Sequence, residues 1–199
     1  MRPSFTVAGV QDGSFESFKR DLDETIQHTC LCCVKIVLDR ILDVKIGVIA
    51  VDGLDSTSSL LSSIDGWDLD AILFGGATFA GFNVVDFEYV YSKTNCPIIV
   101  FSPIYPDVKA TREALRKHFS DWELRLSRYD ALGEIYEYNL KERSPPIYFE
   151  ALGCTTNFAE LVLQEQAITG RVPEAVRVAD LIAKGVTPIF RGLMERFGG

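Results

Sequence analysis

LDAILFGGATFAGFNVVDFEYVYSKTNCPIIVF, residues 69–101, sets a short apolar run against two glycines, then small residues, then an apolar helical pattern and a second apolar run. The run 69–76 stops on Gly75 and Gly76 and reads as a buried strand. Apolar residues across 82–93 recur at helical spacing, and 96–101 is another buried strand. A strand, a crossover helix and a strand in this order pair in parallel.

Upstream the rhythm differs. The stretches 5–10, 30–38 and 44–51 are rich in β-branched residues, and the gap between the second and third is short enough for a hairpin. An antiparallel meander is expected, with the polar segment 12–29 as a surface excursion. The stretch 55–64 opens with cap-forming side chains and carries Leu60, Leu61 and Ile64 on one helical face.

Downstream, 107–119 reads as an amphipathic helix, 133–140 and 147–153 as weaker strands, and 155–170 as a helix running from a Thr cap to Gly170. The stretch 173–185 has Pro at its first position and Gly185 just past its expected end. These elements predict a single α/β domain over 1–199. Its sheet is mixed and five-stranded, in the order 3-2-1-4-5, with the first three strands antiparallel and helices on both faces, the ribonuclease H-like layout. That order places the loops after Val10 and after Phe74 at one rim.

Charge narrows the function. Twenty basic residues against 28 acidic ones give a net charge of -8, which disfavours nucleic acid as a general partner unless the basic groups gather on one face. No apolar run is long enough to span a membrane, the N-terminal stretch lacks a signal-peptide pattern, and a cytoplasmic protein is expected. Five cysteines at Cys30, Cys32, Cys33, Cys96 and Cys154 suggest reduced thiols, not a disulfide framework. The oligomeric state is open.

Candidate chemistry gathers at the rim. Asp12 ends the first strand, while Asp52 and Asp55 bracket a turn after the third. A divalent cation, Mg or Mn, requires such carboxylates to converge, whereas capping a turn or helix is the simpler role for each one alone. The glycines of 75–83 allow close approach of a ligand and expose amides suited to an anion, or simply let a helix pack closely on a strand end. Cys30 and Cys32 fall on one strand face and Cys33 on the other, a poor metal geometry. His118 reads as a surface residue near a helix end.

The blocks AGVQDGSF, VIAVDGLDSTSSLLSSI, DAILFGGATFAGFNVVD, CPIIVFSPIYPDVKATREAL and GRVPEAVRVADLIAKG resemble the archaeal domain of unknown function 99 family. That family resembles endonuclease V, a ribonuclease H-like enzyme that cuts nucleic acid beside deaminated purines with carboxylate-held metal. The resemblance places the enzyme's first-strand aspartate on Gln11, with Asp12 alongside. It places the glutamate of the next helix near Asp55, and the fourth-strand aspartate on Gly75. No lysine follows the fifth strand, where Ser102 and Pro103 stand, and no histidine lies near the C-terminal helix.

The resemblance therefore implies the nuclease fold without the standard metal-dependent strand cleavage. In its place it implies a site for a nucleotide, nucleic acid or protein lined by Gln11, Gly75, Gly76, Thr78, Asn83 and Asp86. The alternative is a metal-dependent nuclease or phosphodiesterase with a rearranged Asp12, Asp52 and Asp55 cluster, in which Asp12 and Asp55 are catalytic.

Overall fold

A computed structural model describes residues 4–15, 27–140 and 144–197, and most of the segment expected to be a surface excursion falls outside the described residues. β1 (Thr6–Asp12), β2 (His28–Val37) and β3 (Arg40–Ala50) form the expected meander. Val10 lies opposite Cys33, and Cys32 opposite Ile46. Two residues, Leu38 and Asp39, turn β2 into β3, and Leu38 adopts φ 54 to do so. α1 (Ser56–Ile64) then leads to β4 (Ala71–Phe74), which runs parallel to β1 with Phe74 beside Val10.

A small hairpin of β5 (Thr78–Phe79) and β6 (Asn83–Val84) precedes α2 (Phe87–Thr94), and β7 (Ile98–Ser102) lies parallel to β4. The helix expected over 82–93 therefore starts five residues late. Asn83 and Val84 pair with Phe79 and Thr78, and only at Asp86 does a side chain cap the helix, accepting from the Tyr89 amide at 3.0 Å.

α3 (Val108–His118), α4 (Trp122–Asp130), β8 (Tyr136–Tyr138), β9 (Ile147–Leu152), α5 (Thr156–Gln166) and α6 (Glu174–Phe197) complete the order. The sheet runs β3-β2-β1-β4-β7-β9-β8, so the five expected strands keep their order and two antiparallel strands extend the β7 edge. α6 does not stop at Gly185 but continues through it and through Pro188. Both lie on its exposed side, where a carbonyl freed by proline can reach water. No helix among the described residues is long and apolar enough to cross a membrane.

Alternation along each strand divides the core into two layers. Val7, Cys30, Cys32, Leu73 and Phe149 face α5 and α6, while Ala8, Val10, Cys33, Ile72 and Phe74 face α1 and α2. All five cysteines are free, and burial pushes the Cys32 and Cys33 thiols up to about 12, so they behave as small hydrophobes.

α6 meets the sheet through Ala175, Ala179, Ala183 and Thr187, all buried and spaced four residues apart. Its backbone comes so close to β1 that a Cβ on Gly9 would collide with the carbonyl of Ala175. Backbone faces backbone there, so Gly9→Ala is expected to lower unfolding free energy by about 3 kcal/mol, measured by denaturant titration.

Glu150 on β9 is 5% exposed, and burial raises its carboxyl to about 7. A folded-state value above the unfolded one stabilises fully below the unfolded value and is lost as pH climbs through the folded one. Stability relative to the Glu150→Gln variant should therefore fall between about pH 4 and about pH 7 and level off above that. A rise over that range in chemical denaturation would mean the carboxylate is paired as an anion.

Candidate functional site

β1 and β4 run parallel, so their carboxyl ends open at the same rim. The Gly75 amide donates to the Val10 carbonyl at 3.3 Å and extends the pairing one residue past the strands. Beside it the Gln11 carboxamide donates to the Gly75 carbonyl at 3.5 Å. A Cβ at position 75 would run into Nε2 of Gln11 and would lie 2.8 Å from Cγ1 of Val176 on α6. Gln11 and a side-chain-free position 75 thus interlock. Gly76, at φ 144, borders open space, and its nearest non-neighbouring atom is the Thr78 carbonyl oxygen.

The hairpin tip is held by two carboxylates. Ala80 and Gly81 adopt φ 44 and φ 85. The Ala80 amide donates to Oδ2 of Asp12 at 2.5 Å, and the Phe82 amide donates to Oδ1 of Asp52 at 2.9 Å. Asp52 is itself at φ 58, and its own amide returns to the Ala80 carbonyl at 2.8 Å. Two amides expected to be open to an outside anion are therefore occupied by acidic side chains of this chain.

Asp55 stands at the N-cap of α1 without capping it. Both of its oxygens accept from the Ala50 amide at 3.1 Å, and Oδ1 also accepts from Nδ2 of Asn83 at 2.6 Å. Asn83 is fully buried; its second Nδ2 hydrogen goes to the Ala50 carbonyl at 2.9 Å, and its Oδ1 accepts from the Ser56 amide at 3.1 Å. In effect the asparagine supplies the helix cap that Asp55 does not. Thr78 sits in β5, its backbone paired with Val84. Asp86 caps α2, its amide donates to Oγ1 of Thr57, and its carboxylate lies 3.6 Å from Nε of Arg128.

Of the nine rim positions, the structure brings Gln11 to Gly75, Asp12 and Asp52 to the hairpin tip, and Asp55 to Asn83. Gly76, Thr78 and Asp86 join none of these pairs. Among the described residues no three of His, Cys, Asp and Glu gather closely enough for a metal ion. Asp12, Asp52 and Asp55 each spend oxygen lone pairs on backbone amides, so a cation shared among them does not fit this arrangement.

Two charged groups on α6 escaped the sequence analysis. Burial raises the Asp12 pKa, the amides of Ala80 and of Asp12 itself oppose the rise, and Asp180 and Lys184 act on it from α6 with opposite sign. Lys184 pairs with Asp180 at 2.8 Å. Their four-residue spacing was visible, but their nearness to Asp12 depends on how α6 crosses β1. Arg125 is the other omission. Only 5% exposed, it donates to the carbonyls of Gly53 at 3.0 Å and Phe82 at 2.6 Å, tying two rim loops together.

Removing the Asn83 carboxamide leaves the Ser56 amide, the Ala50 carbonyl and the Asp55 carboxylate short of partners. Asn83→Ala is expected to cost about 3 kcal/mol of unfolding free energy, read from denaturant midpoints. A loss under about 1 kcal/mol would show that the loops repack without it.

Residues 3–187 match the family model described as Endonuclease dU. A UPF0215 protein of Pyrococcus furiosus is 37% identical over 187 residues, covering 90% of this chain and 91% of that protein. One of Thermococcus kodakarensis is 34% identical, covering 94% of each. Among solved structures, a protein of unknown function from Archaeoglobus fulgidus superposes with TM-score 0.78 at 27% identity, covering 92% of this chain and 98% of that one. The endonuclease V of Bacillus subtilis gives TM-score 0.60 at 13% identity, covering 96% and 82%. That of Ciona intestinalis, solved with a 24mer DNA containing an inosine followed by a ribo-adenosine, gives 0.54 at 13%, covering 90% and 84%. The endonuclease V likenesses speak to fold alone, whereas the family match spans nearly the whole sequence: the chain belongs to the Endonuclease dU family, also represented by the UPF0215 proteins.

Proposed function

We propose that this chain recognises a deaminated base in nucleic acid at the rim of β1 and β4, and that it does so without the shared-cation strand cleavage of endonuclease V. The interlock of Gln11 with Gly75 carries this reading. The family resemblance puts two nuclease aspartates at these positions, and here a neutral carboxamide fills the space that a side chain at 75 would need.

The family is described as Endonuclease dU, and we read dU as deoxyuridine and take it as the substrate class. A uracil edge offers an N–H donor beside carbonyl acceptors, and a glutamine carboxamide offers the complementary acceptor and donor; thymine shares that edge, so discrimination against it rests on the space left for its 5-methyl group. The Gln11 bond to Gly75 is long at 3.5 Å, so its amide can be recruited by a stronger partner. With a net charge of -8, binding should rest on few phosphate contacts and weaken only shallowly with salt.

A second reading is strand cleavage at deoxyuridine itself, with Asp12 as the ionisable group. It is favoured by the Asp180 and Lys184 pair that α6 sets beside Asp12. Fluorescence anisotropy with DNA carrying one deoxyuridine, inosine or thymidine, alongside a cleavage assay with Mn, separates the two. Binding that prefers deoxyuridine, drops about tenfold in Gln11→Ala and leaves the strand intact supports recognition alone. Cleavage by the wild type that disappears in Asp12→Asn establishes the second reading, and equal affinity for thymidine sinks both.

A further inference from the structure

β3 ends the sheet, and among the described residues no strand pairs with its outer edge. It is 11 residues long and exposes Ile41 at 47%, Leu42 at 46%, Ile46 at 39% and Val48 at 37%. A long apolar edge with unpaired backbone groups is a template for another strand. Val44, Ile46 and Val48 lie opposite Val34, Cys32 and Cys30, so they share the sheet face that carries α6. The Val44 amide donates to the carboxylate of its neighbour Asp43 at 2.8 Å and is therefore turned away from β2. Strand alternation turns the amides of Ile46 and Val48 outward with it.

We propose that two copies of this chain pair through β3, antiparallel, about a two-fold axis at Val44. The sequence of the edge is self-complementary in that register and in no neighbouring one. Val44 faces Val44 of the partner subunit, while Leu42 lies in the bulge where the β2–β3 register shifts, with Lys35 opposite Asp43 and Ile36 opposite Ile41, and so marks the end of the regular pairing. Asp43 faces Lys45 of the partner subunit, and the symmetry repeats the ionic pair.

Shifting the axis by one residue sets Lys45 against its own copy or Asp43 against its own copy. Shifting it to Ile46 leaves both charges facing uncharged residues. Val44 is an outward-facing position, so the central pair exchanges two backbone hydrogen bonds once Asp43 releases its amide. Asp43 and Lys45 already share one face, 3.7 Å apart, where Asp43 also accepts from Nε1 of Trp67. Pairing redirects both charges across the axis without moving either to the other face.

The test is the mass of the full chain by sedimentation equilibrium across the micromolar range, against 22.2 kDa for one copy. The wild type is expected to reach twice that mass. Lys45→Asp and Asp43→Lys should each weaken self-association by about tenfold or more, since each sets like charges opposite one another. Mixing these two variants restores opposite charges at both positions, so a heterodimer should form where neither variant pairs alone. Ile46→Glu, at an exposed side chain, weakens pairing independently should Asp43→Lys fail to fold. A wild type that stays at one copy overturns the proposal, as does a dimer unmoved by both Lys45→Asp and Ile46→Glu.

Discussion

The rim is organised by one buried asparagine. Asn83 has every route to water closed and meets its hydrogen-bonding demand with three different pieces of chain: the end of β3 at Ala50, the turn at Asp55 and the first amide of α1 at Ser56. A buried carboxamide without these partners would be costly, so the three segments are held where they can supply them. Asp55 thereby becomes a structural acceptor, with its two oxygens on the Ala50 amide, and so is no longer free to act as a cap or as a ligand. Arg125 fastens the same loops from the other side through the carbonyls of Gly53 and Phe82, with its guanidinium 4.2 Å over the Phe119 ring.

A second constraint runs through α6. Small residues at every fourth position let the helix lie against β1, and Gly9 leaves room for the Ala175 carbonyl. The helix then brings Val176 against Gly75 and sets Asp180 and Lys184 near Asp12. Position 75 is consequently enclosed from two directions, by Gln11 on its own sheet and by Val176 from above. A carboxylate there would require both neighbours to change, so Gln11, Gly75 and Val176 act as one unit of packing.

The strands were legible because each is a short run of β-branched and apolar residues bounded by turn formers, and their order followed from which connections were short. What failed was set by contacts distant in sequence. Asn83 looked like the first turn of a helix until its partners at Ala50, Asp55 and Ser56 drew it into a hairpin. No element was assigned to 122–130 because α4 buries Arg125 and Tyr129, and apolar periodicity does not mark a face whose anchor is charged. Gly185 was taken as a stop, yet the helix continues where nothing packs against that position. At the site, Asp12 was located from its strand end, but its bond to the Ala80 amide spans 68 residues and leaves no trace in spacing.

The hairpin tip joins the two sides of the rim. Left-handed backbone at Ala80 and Gly81 turns amides inward, and such a turn attracts negative charge. In this chain the charge comes from Asp12 on β1 and Asp52 beyond β3, so the tip bridges the two sides of the rim by accepting the protein's own carboxylates. The Ala80 amide lowers the Asp12 pKa, but desolvation outweighs it and the net shift is upward. An incoming ligand at this rim meets an acidic side chain already committed to a backbone partner, beside a neutral carboxamide with a weak one. Of the two, the carboxamide of Gln11 can be redirected at the smaller cost, because it surrenders a single long hydrogen bond, whereas moving Asp12 would free the hairpin tip it holds.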